Sequence, residues 1–186
     1  ALDMQKSTVH RVLAELTALG YVEQDATGLY RPTLRSWEIG TAVVADLPIK
    51  QVAATALQQL HRRTGETVSL TVRSGDDVLY LDKIISPRPI RFTTRVGSRL
   101  PLPLTASGLA LLAPAGDGPD VVRRFGARPG VAGVFDVERA LRELSRAQRR
   151  GYATSSARPG VISIAAAVSD RDDSPVAALT TSGGGS

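Results

Sequence analysis

Lys6, Ser7, Thr8, His10 and Arg11 fall in one stretch whose chemistry suits a phosphate backbone and a base edge. Ser7, Thr8 and the free N–H groups of a helix's first turn can hold a phosphate oxygen, with the positive end of the helix dipole behind them. Arg11 can reach a guanine edge bidentately. The alternative is a solvated helix face. Thr27 and Arg31 sit on a later hairpin, where they could touch DNA backbone or the minor groove, or simply complete an ordinary hairpin. A second set, Ser107, Ser163, Thr180 and Ser182, places small hydroxyls among apolar residues. Such hydroxyls bond a ligand carboxylate or carbonyl, or else serve backbone groups. Arg91 and Arg95 are four apart and share one face of a strand. One of them, or Arg158, can pair with an acidic ligand, because guanidinium matches carboxylate geometry. The alternative is a solvated or interface-facing sheet surface.

Other chemistries are poorly served. There is no cysteine, and the two histidines, His10 and His61, lie far apart. Disulfides and thiolate nucleophiles are excluded, and a histidine-rich metal site is not expected. No G-x-S-x-G, P-loop, G-x-G-x-x-G or His–carboxylate metal pattern occurs. Neither metal nor cofactor is expected, and a hydrolytic enzyme with a Ser/His/Asp arrangement is the weaker alternative. Asp76-Asp77 and Asp170, Asp172 and Asp173 read as turn residues. The run Arg139, Arg142, Arg146, Arg149 and Arg150 reads as the solvated face of an amphipathic helix, with cations favoured toward its C-terminus. His61 reads as structural.

Composition agrees with a globular chain: of 186 residues, 42% are apolar and 22% charged. That length fits one domain or one and a half. No apolar run approaches the roughly 20 residues of a membrane-spanning helix. The start, Ala-Leu-Asp-Met-Gln-Lys, lacks a signal-peptide layout. A cytoplasmic location and no membrane partner are expected. The net charge of +5 is uneven. Residues 1–45 hold four basic and five acidic residues, so the excess lies after them, away from the candidate DNA reader.

The elements that must position these residues follow from periodicity. Val9, Val12, Leu13, Leu16 and Leu19 predict a helix over 6–19, stopped by Gly20. Tyr21–Gln24, a turn at Asp25–Gly28 and Leu29–Pro32 predict a β-hairpin. Helix then hairpin is the back half of a winged helix-turn-helix. A connecting helix follows over 36–46, and another over 48–64 with Pro48 in its first turn. The period then changes to two. Strands are predicted at 67–72 and 78–85, around a turn at 74–77. A third strand is marked by Ile90, Phe92, Thr94 and Val96, before a loop from Gly97 to Pro103. Helices are predicted at 105–113, 119–125 and 136–150, the last between an Asp136 N-cap and Gly151. Strands close the chain at 152–154, 161–169 and 176–182. The fold class is therefore α+β: a partial winged helix-turn-helix over 1–35, a linker helix over 36–47, and an antiparallel sheet flanked by helices over 48–186.

Lys6-Ser7-Thr8-Val9-His10-Arg11-Val12-Leu13, Leu19-Gly20-Tyr21-Val22 and Gly28-Leu29-Tyr30-Arg31 resemble the IclR family of bacterial transcription regulators. Further stretches agree in order: Thr64 to Val68, Leu79 to Lys83, Arg95 to Leu102, Thr105 to Gly108, Arg150 to Ala153, Pro159 to Val161 and Val176 to Leu179. Together they cover nearly the whole chain. The resemblance implies a winged-helix DNA reader joined to a GAF-like effector domain. It implies a repressor more often than an activator, a homodimer or homotetramer, a double-stranded DNA operator, and a small-molecule effector, typically an organic acid. The pocket it implies takes in Arg95, Gly97, Leu104, Ala106, Ser107, Ser163, Thr180 and Ser182. Family members are longer at both ends, so the chain is expected to lack the first helices of the reader and the C-terminal helix of the effector domain. A sensor or oligomerisation fragment without DNA binding is the alternative. Pro103 stands where the family often has His, Leu109 where it often has Lys, and Ser163 where some members have Cys. A short, non-acidic loop over 154–160 replaces a common run of carboxylates. A metal or cationic effector is not expected.

Overall fold

The computed structural model describes residues 4–45, 47–88, 94–158 and 160–184. The chain divides into two compact units, Ala1–Pro48 and Ile49–Ser186.

The first unit holds α1 (Lys6–Ala18), β1 (Val22–Gln24), β2 (Tyr30–Pro32) and α2 (Leu34–Ala45). A Schellman motif ends α1. Gly20 takes φ +75°, its N–H donates to the Thr17 carbonyl, and the Tyr21 N–H reaches back to Leu16. The hairpin pairs Glu23 with Arg31, and its turn is organised by Asp25. One Asp25 oxygen accepts from the Thr27 N–H, the Thr27 hydroxyl and the Leu29 N–H. The start of α2 is tied to the same corner. The Thr33 hydroxyl donates to the Gly20 carbonyl, the Ser36 hydroxyl to that of Tyr21, and Arg35 to that of Leu19. The α1 stripe is only partly covered: no residue of α1 is buried, and Leu19 is 55% exposed.

The second unit contains α3 (Pro48–Thr64) and a six-stranded antiparallel sheet in the order β5-β4-β3-β8-β7-β6. The strands are β3 (Thr67–Ser74), β4 (Asp77–Ile84), β5 (Arg99–Pro101), β6 (Ala153–Arg158), β7 (Val161–Ser169) and β8 (Pro175–Gly184). Three helices belong to one face: α4 (Ala106–Leu112), α5 (Gly118–Gly126) and α6 (Val137–Arg150). Their core joins Leu102, Leu109, Val121, Val122 and Leu144 to Val78, Ala165 and Ala178 of the sheet. Every residue of α4 is buried, and the Thr105 hydroxyl caps it by accepting the Gly108 N–H. Gly108 lies against the backbone of Leu102, where an added Cβ would stand 2.1 Å from the carbonyl oxygen. Asp136 caps α6, and Gly151 ends it at φ +80°. Within α3, Ala53 and Leu57 are buried, and the His61 ring Nδ1 lies 2.8 Å from the Glu66 carbonyl, a structural contact.

Three expectations are corrected. Thr94 and Val96 lie in no strand, while Ile90, Arg91 and Phe92 fall outside the described residues. The edge strand is β5 instead, inside the expected loop. Gly97 at φ +84° turns the chain, and the Ser98 N–H and hydroxyl both donate to the Arg95 carbonyl. Arg99–Pro101 can then pair with Asp77–Leu79. The expected loop at 154–160 is largely strand: β6 continues to Arg158 because Thr154 and Ser155 pair with Ile164 and Ser163. The connecting helix begins at Leu34, two residues early, because Thr33 caps that corner.

Candidate functional site

On α1, the Lys6, Ser7, His10 and Arg11 side chains are exposed and Thr8 is half-buried. No acidic residue occupies the first turn, and the Gln5 N-cap makes no side-chain bond to it. Lys6 and Arg11 form no ion pair with a described residue. Among the described residues, the first-turn N–H groups and these two cations have no side-chain partner. Thr27 and Arg31 differ, since Asp25 holds both. The Arg31 guanidinium stands 2.9 Å from the second Asp25 oxygen. The Thr27 hydroxyl, first among its donors, pulls the Asp25 carboxyl below its ordinary pKa.

In the second unit, a cavity of about 190 Å³ lies between the sheet and the start of α4. Leu104, Ala106, Ser107, Ser163, Thr180 and Ser182 line it. Arg95 and Gly97 do not. Arg95 lies just before the turn at Gly97, in no strand, and is exposed. The Arg158 side chain lies outside the described residues.

Strand register explains the lining. Thr67 pairs with Ser182, Ser182 with Ser163, and Ser163 with Ser155. Residues directly opposite share a face, so four hydroxyl residues form one row across β3, β8, β7 and β6. Ser69 and Thr180 begin the next row. The Ser163 and Ser182 hydroxyls are 2.8 Å apart, and Ser107 reaches Thr105 at 3.4 Å. Thr180 is 6% exposed, and its hydroxyl has no hydrogen-bond partner among the described residues. Among the described residues, no carboxylate, lysine, arginine or histidine lines this cavity, so its polar lining consists of hydroxyl groups.

Thr67, Ser69, Tyr80, Thr94, Thr105 and Ser155 also line the cavity and were not legible as site residues. The signal was the alternation of Thr67, Ser69 and Thr71 with Val68, Leu70 and Val72. It looks like one wet face and one dry one, yet Thr67 to Thr71 are buried throughout.

Of the α6 arginines, Arg139, Arg142, Arg146 and Arg149 are exposed, as expected of a solvated face, and Arg150 is half-buried. Arg139, Arg142 and Arg146 border a second cavity of about 580 Å³. Arg150 turns inward to pair with Glu143 and its guanidinium lies 4.2 Å from the Tyr152 ring centroid. Among the described residues, no three His, Cys, Asp or Glu side chains gather as a metal site, and no helix is long and apolar enough to cross a membrane.

A helix presenting two cations with no ion pair among the described residues, a hairpin, and an α+β unit with a hydroxyl-lined cavity make up the architecture of a partial winged helix followed by a sheet-and-helix domain. Residues 41–185 match the domain family described as bacterial transcriptional regulator IclR C-terminal, and residues 1–26 match the IclR helix-turn-helix domain. The chain belongs to the IclR family. It is 29% identical over 155 residues to the HTH-type transcriptional regulator KipR of Bacillus subtilis, a match covering 82% of this chain and 62% of that protein. It is 29% identical over 188 residues to the HTH-type transcriptional repressor AllR of Escherichia coli, covering 98% and 69%. Among solved structures, an IclR homolog from Microbacterium hydrocarbonoxydans, complexed with 4-hydroxybenzoate, superposes with a TM-score of 0.76 at 29% identity. That match covers 97% of this chain and 77% of the other.

Proposed function

We propose that the chain acts in a transcription regulator, a repressor, whose operator binding is modulated by a small organic molecule held in the hydroxyl-lined cavity. The observation that carries this reading is the row Thr67–Ser182–Ser163–Ser155 in a chain that also presents an unpaired basic helix face. Lys6, Ser7, Thr8, His10 and Arg11 supply the DNA contacts, with Thr27 and Arg31 on the hairpin as outer contacts to the backbone. Ser107, Ser163, Thr180 and Ser182 bond the effector's oxygens, and Leu104 and Ala106 supply apolar contact. The 4-hydroxybenzoate bound by the Microbacterium neighbour supports an oxygen-bearing organic acid as the ligand class. The role is binding, with no catalytic step, and the working form is a homodimer or homotetramer inside the cell, reading paired half-sites.

The test is a gel shift and fluorescence titration with DNA from upstream of the protein's own gene, at several salt concentrations. Specific binding that weakens with salt, as phosphate contacts require, and that responds to an organic acid supports the reading. Absence of specific binding replaces it with the second one, a sensor domain that does not bind DNA. The observation favouring that alternative is the absence of any buried residue in α1.

A further inference from the structure

The larger cavity lies against α6, with residues 130–136 along one side and β6 along another. Its floor is apolar: Leu109, Phe125 and Ala140 are buried, and the Phe125 and Phe135 rings meet edge to face at 5.0 Å. Arg139, Arg142 and Arg146 stand along the same cavity. The two carboxylates there are already engaged. Asp136 caps α6 by accepting the Arg139 N–H at 2.8 Å. One Glu143 oxygen accepts from Arg150 and from the Thr154 N–H and hydroxyl, and Arg146 stands 3.9 Å from the other. The Arg139 guanidinium donates only to the neutral Ser156 hydroxyl, and Arg142 has no partner among the described residues. Two guanidinium charges therefore border an aromatic floor without a carboxylate of their own.

We propose that this cavity is a second ligand site, for an amphipathic organic anion whose ring or branched alkyl group covers Phe125, Phe135 and Leu109 and whose carboxylate pairs with Arg142 and Arg139. The volume lies within the roughly 300–1,000 Å³ of small-molecule sites. A guanidinium matches a carboxylate bidentately, and the pair gains strength where the floor excludes water. The site is separate from the hydroxyl cavity and shares only Leu104 and Ser155 with it. It does not depend on α1 binding DNA.

The test uses 3-phenylpropionate and its neutral amide, titrated into the full chain and followed by calorimetry and by backbone amide shifts. Saturable binding of the acid is expected, with shifts at Val131, Phe125 and Phe135. The amide should bind at least fivefold more weakly. The double variant Arg139→Gln/Arg142→Gln, changed at two exposed positions, should raise Kd at least fivefold with an unaltered thermal transition. Ser163→Val, in the other cavity, should leave Kd within twofold. Absence of saturable binding, equal affinity for acid and amide, an unchanged Kd in the arginine variant, or a loss confined to Ser163→Val each overturns the proposal.

Discussion

The Ser163 hydroxyl lies 2.8 Å from the Ser182 hydroxyl across the β7–β8 pair. Either oxygen can donate, so rotation of two hydroxyls changes what the cavity offers, a proton or a lone pair, without moving backbone. Thr180, two residues along the same face of β8, lacks this complement. A cavity built this way is open to a ligand that brings its own acceptor and donor.

Thr180→Val therefore stabilises the ligand-free protein, by about 1 kcal/mol, because an unpaired buried hydroxyl is replaced by an isosteric methyl. Thermal or urea unfolding measures it. A loss of stability would show that the hydroxyl is satisfied in solution.

Gly108→Ala acts in the opposite direction. The new methyl meets the backbone of Leu102, not a movable side chain. A cost of about 1–3 kcal/mol is expected from overpacking, read as a lowered urea midpoint. Wild-type stability would mean that the Leu102–Leu104 turn yields more easily than its packing suggests.

Arg11→Ala should weaken operator binding by about 1–3 kcal/mol, the cost of losing one base-edge contact, with the melting temperature unchanged. Arg11 has no ion-pair partner to lose among the described residues. Lys6→Ala should instead weaken binding to all sequences and flatten the salt dependence. Operator affinity unaltered by Arg11→Ala would remove it from the interface.

The hairpin turn carries a pH signature. Asp25 has its pKa lowered, first by the Thr27 hydroxyl and then by the Leu29 N–H. A lowered carboxyl stabilises the fold fully above its unfolded value, near about pH 4, and loses that contribution as the pH falls through its folded value. In an NMR titration, Thr27→Ala should move the Asp25 midpoint upward, toward the ordinary carboxylate value. An unmoved midpoint would assign the shift to the backbone donors.

Much of this was legible in the sequence wherever a local signal coincided with the tertiary outcome. Asp136 and Gly151 bracket α6, and Gly20 stops α1, because caps are set by the chain itself. The edge strand β5 escaped because its pairing depends on the turn at Gly97, while Arg99–Pro101 shows no alternation of its own. The hydroxyl residues of β3 escaped for a different reason: alternation reveals two faces but cannot tell that both are covered. The inward turn of Arg150 escaped because a helical repeat is silent about the pairing of one of its cations with Glu143 and Tyr152.

Leu104 and Ser155 belong to both cavities, as a partition belongs to two rooms. An occupant on one side that displaces the Leu104 side chain reshapes the other side as well. By thermodynamic reciprocity, the factor by which the first ligand alters the second's affinity equals the factor in the reverse direction. With both cavities occupied as proposed, Leu104 and Ser155 would be the wall through which each ligand registers the other.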